Sequence, residues 1–523
     1  MELADWFLTP AERGNPDTEL DRRHDDGQAW TAGNLVTALP HGSNYFAELL
    51  RAVRQLRAGD LLLFTDWRGD PDQRLESDVS VSEVFAAAAA RGVLVRGLIW
   101  RSHLDRFSFS EQENRHLGED IEAAGGQCLR DMRVRPGGSH HQKFVVLRHL
   151  GRPELDVAFV GGIDLCHSRL DGPDHHGDPQ RQPMAKVYGP RPPWHDLQVA
   201  LRGPAVDDVE TVFRERWDDP TPLTRNPVDR VSDLLRHEDT KPGPLPERLP
   251  RPADAGSAHV QLLRTYPYRR RGYPFASRGE RSVARGYHKA VGNARSLIYL
   301  EDQYLWSERV VDCFAEALRR GGELRLIAVI PLFPDQDGRF SLAPNLIGRA
   351  RALDLLYQAG GERVGVYGIV NERQVPIYVH AKACVIDDLW ACVGSDNLNR
   401  RSWTHDSELA CAIIDDRPDP REPAVLDRFG AGARVFARQL RLLLAAEHLG
   451  RDPGEMADLV DPAAMFAAFS AAADAGTESG RGRLRHYPRP QLSRTTRAWA
   501  DPLYRLVYDP DGRPARMRRR GQF

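Results

Sequence analysis

The sequence predicts an α/β protein built as two similar α/β/α sandwich halves, related by a pseudo-twofold and packed around one shared active site. Short unbroken apolar runs alternate with amphipathic helical stretches, the pattern of a buried sheet covered on both faces. The alternation occurs twice in the same order. Each copy then presents His-x-Lys at a similar distance, with His141 80 residues after Leu61 and His380 83 residues after Leu297.

In the first half a helix over 45–60 leads into LLLFTDW (61–67), and a helix over 81–93 leads into LVRGLIW (94–100). In the second, a helix over 282–295 leads into LIYLEDQYLW (297–306), and a helix over 310–323 leads into LRLIAVIPLF (324–333). Each half is expected to form its own layer structure. A hairpin partner strand follows each His-x-Lys, within 156–165 and 389–398, and the first hairpin has the longer turn. The Pro-rich stretch 241–257 reads as an extended linker. The expected organisation is therefore a first half over 1–240, the linker, a second half over 258–450, and an extension over 451–523. That extension reads as a helix over 462–475 followed by basic, loop-like stretches ending at 513–520.

With 72 Lys+Arg against 74 Asp+Glu, the chain has no blanket attraction for nucleic acid or anionic lipid, so any anion site is local. The six cysteines lack CxxC spacing and read as buried free thiols. The N-terminus is acidic where a signal peptide is basic, and no apolar run approaches the ~18 residues of a membrane span. A cytoplasmic protein, soluble or peripherally attached, is expected.

Only five residues are lysine, and two of them, Lys143 and Lys382, occupy equivalent places 239 residues apart. On a strand, residues i and i+2 share a face, so each copy delivers an imidazole and an ammonium side by side. Two such pairs facing one point suit a phosphodiester. Lys143 and Lys382 neutralise the nonbridging oxygens, one of His141 and His380 attacks phosphorus, and the other protonates the departing alkoxide. The far nitrogen of each imidazole needs an acceptor, and Asp196 in PWHDLQVALRG and Glu408 in HDSELACAI are the candidates. The scheme needs no metal or cofactor, and no Cys, His or acid cluster with ligand spacing appears. His175 and His176, in the loop 172–193, read as parts of a polar lid bordering the entrance.

These residues resemble the phospholipase D superfamily, whose signature is HxKxxxxD in two copies, each followed by Gly-Gly or Gly-Ser. The second copy matches fully with His380, Lys382 and Asp387, then Gly394, Ser395 and Asn397. The first has His141, Lys143, Gly161, Gly162 and Asp164, but Arg148 stands where the family has Asp. The segments TDWRGDPD (65–72), WRSH (100–103), GGIDLCHSRLD, PWHD, FRERWD and LEDQYLW extend the resemblance to lipid-acting members over roughly 44–444.

The resemblance implies hydrolysis of a phosphatidyl lipid such as phosphatidylcholine to phosphatidic acid and a head-group alcohol, through a phosphohistidine, with transfer to another alcohol as a side reaction. It favours His141 as nucleophile and His380 as acid and then base. It places Asp387 in the catalytic set, chiefly as support for its hairpin, and Ser395, Asn397, Gly161, Gly162 and Asp164 at the phosphate pocket. The implied partner is a phospholipid at a membrane surface, without nucleic acid. A monomer suffices, because both motif copies lie in one chain. The competing readings are a cardiolipin or phosphatidylserine synthase-like phosphatidyltransferase, a nuclease of the superfamily, and a weakly active lipid- or nucleic-acid-binding scaffold.

Overall fold

A computed structural model describes residues 2–76, 78–102, 111–424, 429–452 and 454–523, with the backbone alone for 339–341. His103, at the end of WRSH, lies outside the described residues. The first half contributes strands β1 (Thr31–Pro40), β2 (Leu61–Asp66), β3 (Leu94–Trp100), β4 (Gln127–Asp131), β5 (Phe144–Arg148), β6 (Val157–Gly161) and β7 (Leu197–Arg202). The second contributes β8 (Ala258–Tyr266), β9 (Leu297–Glu301), β10 (Arg325–Val329), β11 (Val364–Ile369), β12 (Ala383–Ile386), β13 (Trp390–Gly394) and β14 (Glu408–Asp415), and the tail adds β15 (Leu484–His486).

All fifteen lie in one sheet, in the order β15-β11-β10-β9-β12-β13-β14-β8-β1-β7-β6-β5-β2-β3-β4. Outward from the β8–β1 seam, both sides run through four antiparallel neighbours and then two parallel ones. The repeat alone suggests a separate layer structure per half; β1 and β8 instead join the halves, with Thr31 opposite Val260 and Asn34 opposite Ala258. Neither belongs to the repeated helix–strand units, since each precedes the first helix of its half.

The principal helices are α1 (His41–Arg54), α2 (Val81–Ala90), α3 (Glu111–Ala123), α4 (Ala205–Trp217), α5 (Ser282–Asn293), α6 (Glu308–Arg319), α7 (Arg339–Gly360), α8 (Val435–Leu449) and α9 (Pro462–Ser479), with other helical segments before, between and after them. α2 starts where the sequence indicates, because Ser80 and Glu83 form a capping box. The run LIYLEDQYLW leaves the sheet at Glu301, where Asp302 Oδ1 accepts from the backbone N–H groups of Tyr304 (2.8 Å) and Leu305 (2.6 Å) and turns the chain. Among the described residues no helix is long and apolar enough to cross a membrane.

One face of the sheet carries a core common to both halves. Val209, Phe213 and Trp217 of α4 and Leu440 and Leu444 of α8 pack there with Leu63, Val146, Val385 and Leu409. The opposite face is divided: α1–α3 cover the first half around Phe46, Phe85 and Leu117, and α5–α7 cover the second around Tyr287, Phe314 and Leu353. Each large apolar side chain buried in the common core is worth about 1.5–3 kcal/mol, so that layer couples the halves. The stretch 241–257 has no regular structure but is strapped down, Leu245 and Leu249 against the common core and the Pro246 and Pro250 carbonyls onto Arg214 and Arg148. The tail departs from the loop-like reading: β15 extends the sheet edge beside β11, and residues 494–503 and 515–519 are helical. All six cysteines are buried and free.

Each half fastens its central helix to its hairpin through a buried ion pair, and the polarity is reversed between them. In the second half Asp388, in the turn after β12, takes Arg438 Nε (2.8 Å) and Arg441 Nε (2.5 Å) from α8. In the first, Arg148 at the end of β5 donates to Glu210 on α4, to Asp156 Oδ2 across the hairpin (2.8 Å) and to the Pro250 carbonyl (2.7 Å). Arg148 stands at the position of Asp387, one residue before the place of Asp388, so the two halves make this fastening with opposite charges from neighbouring positions.

Arg148→Ala leaves Asp156 buried without its guanidinium and Glu210 with Arg214 alone, and the expected loss is about 3 kcal/mol. Arg148→Asp, which completes the signature, is expected to cost at least as much by adding a fourth carboxylate beside Asp156, Asp207 and Glu210. Urea unfolding midpoints measure both; a wild-type midpoint for either contradicts this account.

Candidate active site

Both His-x-Lys segments lie at strand entrances rather than within strands: His141 and Lys143 precede β5, and His380 and Lys382 precede β12. They stay extended because each is laid against the other half. His141 N donates to Ser407 O (2.9 Å), one residue before Glu408. Tyr378–Val379 pairs in parallel with Trp194–His195, and His380 N donates to His195 O (2.7 Å), one residue before Asp196.

The side chains then cross. His141 Nδ1 lies 2.9 Å from Glu408 Oε2, and His380 Nδ1 lies 2.6 Å from Asp196 Oδ2, so each imidazole is held by a carboxylate of the opposite half. Fixing Nδ1 leaves the two Nε2 atoms for chemistry. Lys143 Nζ donates to His141 O (3.0 Å) and lies 3.3 Å from Asp164 Oδ1. Lys382 Nζ donates to His380 O and to Gln303 Oε1 (3.3 Å). Trp67 flanks His141 at 6.0 Å and Trp194 flanks His380 at 5.1 Å, so each imidazole has one indole beside it.

Burial, reinforced by Lys143, holds the His141 imidazole well below its ordinary range, so it is neutral. Burial and Lys382 hold His380 down to about 3, although Asp196 pulls the other way. Asp196 outlasts its own burial and sits at about 2, because His380 and Lys382 favour its charge. Glu408 is pushed well above the usual carboxyl range by burial. The two imidazole–acid pairs are therefore similar in geometry and unlike in charge. Burial brings Lys382 down to about 8. What the arrangement offers an incoming anion is two ammoniums and two oriented imidazoles with little competing water.

Several candidates stand elsewhere than the sequence places them. Asp387 is separated from Lys382 by the length of β12, roughly 16 Å at about 3.3 Å per residue. Its carboxylate accepts from the backbone N–H groups of Arg295, Ser296 and Leu297 (2.8, 2.8 and 3.0 Å), so it ties the hairpin to β9 and takes no direct part at the imidazoles. The Ser395 hydroxyl donates to Glu408 Oε2 (2.5 Å) and accepts from Leu409 N (3.1 Å), which makes it a support for Glu408 rather than a free phosphate donor. Asp164, lowered by Lys143 and Arg169 despite burial, is an anion aimed at Lys143 and would repel a phosphate.

The glycines serve the crossing itself. A Cβ at Gly161 would meet Gln198 Oε1 at 2.4 Å, and one at Gly162 would meet Asp196 Oδ1 at 2.3 Å and the His380 carbonyl at 3.3 Å. Asn397 Oδ1, in the place equivalent to Asp164, is buried without a partner. In the loop 172–193 His176 is exposed, but His175 is buried and anchored on the Trp194 carbonyl and Glu447 (3.0 Å each), so it is no part of a mobile lid.

Sequence reading missed several supports. Asp66 and Asp302, at equivalent ends of β2 and β9, accept from Leu165 N (2.9 Å) and Leu398 N (2.7 Å) and hold the two loops that follow the glycine turns. Their matched positions in TDWRGDPD and LEDQYLW were the available signal. Arg169 lies 3.9 Å over the Trp194 ring and pairs with Asp164. His41, His195 and Glu447 join His175 in a buried cluster beneath His380, from four distant parts of the chain with no local spacing to reveal them.

The family profile described as phospholipase D matches residues 77–310, and that described as cardiolipin synthase, PLD-like domain, matches 287–421. Phospholipase D alpha 1 of Ricinus communis is 25 % identical over 494 residues, covering 71 % of this chain and 59 % of that protein. Phospholipase D alpha 1 of Oryza sativa subsp. japonica is 26 % identical over 451 residues, covering 64 % of this chain and 54 % of that protein. The chain thus spans less than two thirds of the length of these relatives. A phosphatidylserine synthase structure from Haemophilus influenzae Rd KW20 aligns with a TM-score of 0.47 at 14 % identity, over 73 % of this chain and 82 % of that one. The two profiles overlap at 287–310, together span 77–421 and each contain one His-x-Lys pair, and the chain belongs to the phospholipase D superfamily.

Proposed function

We propose that the chain is a phosphodiesterase of phospholipase D type that acts on phosphatidyl lipids through a phosphohistidine. The observation that carries this reading is the crossed pair of imidazole–carboxylate contacts beside two buried lysines. Lys143 and Lys382 bind the nonbridging oxygens of the diester. Neutral His141 attacks phosphorus through Nε2, forming a P–N bond as the bond to the head-group oxygen breaks, and that oxygen takes the Nε2 proton of His380. His380 suits the acid role because the ionised Asp196 stabilises its imidazolium, and the anionic diester offsets the lysines that hold its pKa down.

In the second step His380 Nε2 takes a proton from water, the water oxygen attacks phosphorus, and the P–N bond breaks to release phosphatidic acid. An alcohol in the place of water gives phosphatidyl transfer by the same route. The cardiolipin synthase-like profile over 287–421 favours that second outcome as part of the repertoire.

Contact with a lipid surface is supported by the helix Pro227–Leu235, whose Val228, Val231, Leu234 and Leu235 are 74, 56, 75 and 75 % exposed. Its Asp233 clamps Arg101, next to Trp100, which stacks on Trp67 at 5.6 Å, so the apolar face lies beside the wall of the site.

Choline release from phosphatidylcholine vesicles tests the reading. No turnover on any phosphatidyl lipid with vesicle binding retained would favour the scaffold, and faster DNA cleavage would favour a nuclease. His141→Ala and His380→Ala are each expected to reduce turnover by several orders of magnitude, because the two groups act as a unit. With a p-nitrophenyl phosphatidyl ester, whose leaving group needs no acid, His380→Ala is expected to accumulate phosphoenzyme and His141→Ala to form none; the opposite pattern reverses the roles.

The pH profile of kcat/KM follows from Lys382, whose ammonium must be present: activity is expected to fall as pH rises through about 8. Lys382→Arg, which stays charged, is expected to move that alkaline limb upward whatever it does to kcat. An unmoved limb assigns it to another group. Leu234→Asp with Leu235→Asp is expected to lower turnover on vesicles while sparing a monomeric short-chain lipid; equal losses on both would refute the docking role.

A further inference from the structure

We infer that His41, His175, His195 and Glu447 form a structural binding site for a tetrahedral divalent transition ion, zinc foremost, beneath the strand that carries Asp196. One ligand atom from each of the four lies within 4.8 Å of all the others. His41 Nε2 is 2.9 Å from Glu447 Oε2, while His175 Nε2 (3.0 Å) and His195 Nδ1 (3.1 Å) share Glu447 Oε1. The three rings stand 5.1–5.8 Å apart at interplanar angles of 58–81°, so they fan around a common point instead of stacking.

Tautomers sharpen the case. His175 Nδ1 lies 3.0 Å from the Trp194 carbonyl, which only accepts, so the proton of the neutral ring sits on Nδ1 and Nε2 carries a lone pair. With no metal, Glu301 and Glu447 favour a charged His195; in the neutral ring Nε2, 2.7 Å from Glu301 Oε2, keeps the proton and Nδ1 the lone pair. Both lone pairs then face Glu447, itself an acceptor. A cation between them resolves the conflict, and a backbone carbonyl or carboxylate on the far nitrogen is how metal-bound imidazoles are oriented. Glu301 is held in turn by the Tyr299 hydroxyl (2.6 Å) and His448 (2.7 Å). His41 and His175 both adopt left-handed backbone, with φ of 68° and 50°, a conformation that side-chain-bearing residues rarely adopt.

Three imidazoles and one carboxylate, without thiolates, suit zinc better than the oxygen-seeking magnesium or calcium. Protein groups fill all four positions, and the three histidines are at most 2 % exposed, so the site is closed and structural. Its place gives it work: His195 O accepts from both His380 N (2.7 Å) and Ala381 N (3.2 Å), and Asp196 follows directly. The ion would join α1, the loop 172–193, the Asp196 segment and α8 into one clamp under His380.

The test is elemental analysis of the full chain, purified without chelator and exhaustively dialysed, together with a cobalt-substituted sample. One zinc per chain and the intense visible d–d bands of tetrahedral Co²⁺ are expected. His41→Ala combined with His175→Ala is expected to abolish both signals. If that variant fails to fold, X-ray absorption at the zinc edge of the wild-type protein replaces it, with three imidazoles and one oxygen as the expected shell. A folded chain that takes up no zinc or cobalt would show that two buried protons balance the cluster and would overturn the inference. Metal kept by the folded double variant, or a thiolate or water-rich shell, would overturn the location.

Discussion

The structure depends on one exchange: each imidazole is oriented by an acid from the opposite half, His141 by Glu408 and His380 by Asp196. Neither half alone presents an oriented histidine. The exchange fixes how closely the halves must approach, and the seam answers that demand at every level. β1 and β8 make the sheet continuous, α4 and α8 share a core beneath it, and Ser407 and His195 present the backbone carbonyls on which the opposing motif is laid. Gly161 and Gly162 belong to the same constraint, because a side chain at Gly162 would occupy the position of Asp196 Oδ1. Their smallness serves the protein's own crossing before it serves any ligand.

The halves share a topology without sharing a charge distribution. Arg148 with Glu210 in one and Asp388 with Arg438 and Arg441 in the other carry out the same fastening with opposite signs. A buried ion pair constrains complementarity rather than polarity, so both solutions serve. At the site the same divergence separates the two imidazoles. Asp196 stays ionised beside His380 and Lys382, while Glu408 is driven toward its neutral form. A nearly symmetric backbone thereby supports two unlike histidines, as a reaction with separate attacking and protonating groups requires.

Much of this was legible in the sequence because the signals were local and duplicated. The alternation of apolar strands with helices, the paired His-x-Lys and the acids Asp196 and Glu408 all follow from short windows compared between copies. What was not legible depends on long-range placement. Nothing near Thr31 or Ala258 says that these strands meet, and nothing near Glu408 says that it serves His141, 267 residues away. For Asp387 the resemblance implies chiefly hairpin support, but the signature does not say that its carboxylate takes three backbone N–H groups at the start of β9. Ser395 likewise lies beside the site and is spent on Glu408.

The electrostatic cost of the site explains why so much buried polar structure surrounds it. Two ammoniums withdrawn from water repel one another and hold the adjacent imidazoles neutral, and burial strengthens both effects as it removes the solvent that would screen them. The fold answers with fixed anions at graded distances. Asp164 compensates Lys143 directly at 3.3 Å and Asp196 compensates His380 and reaches Lys382, while Asp66 and Asp302, whose carboxyls burial pushes up, serve one layer back by holding the loops that aim the others. Because these acids are committed to backbone or lysine partners, they cannot rotate into the site and displace an incoming anion. The lysines stay available to an anion although the surrounding walls are rich in carboxylates, and that availability comes from hydrogen bonding more than from net charge.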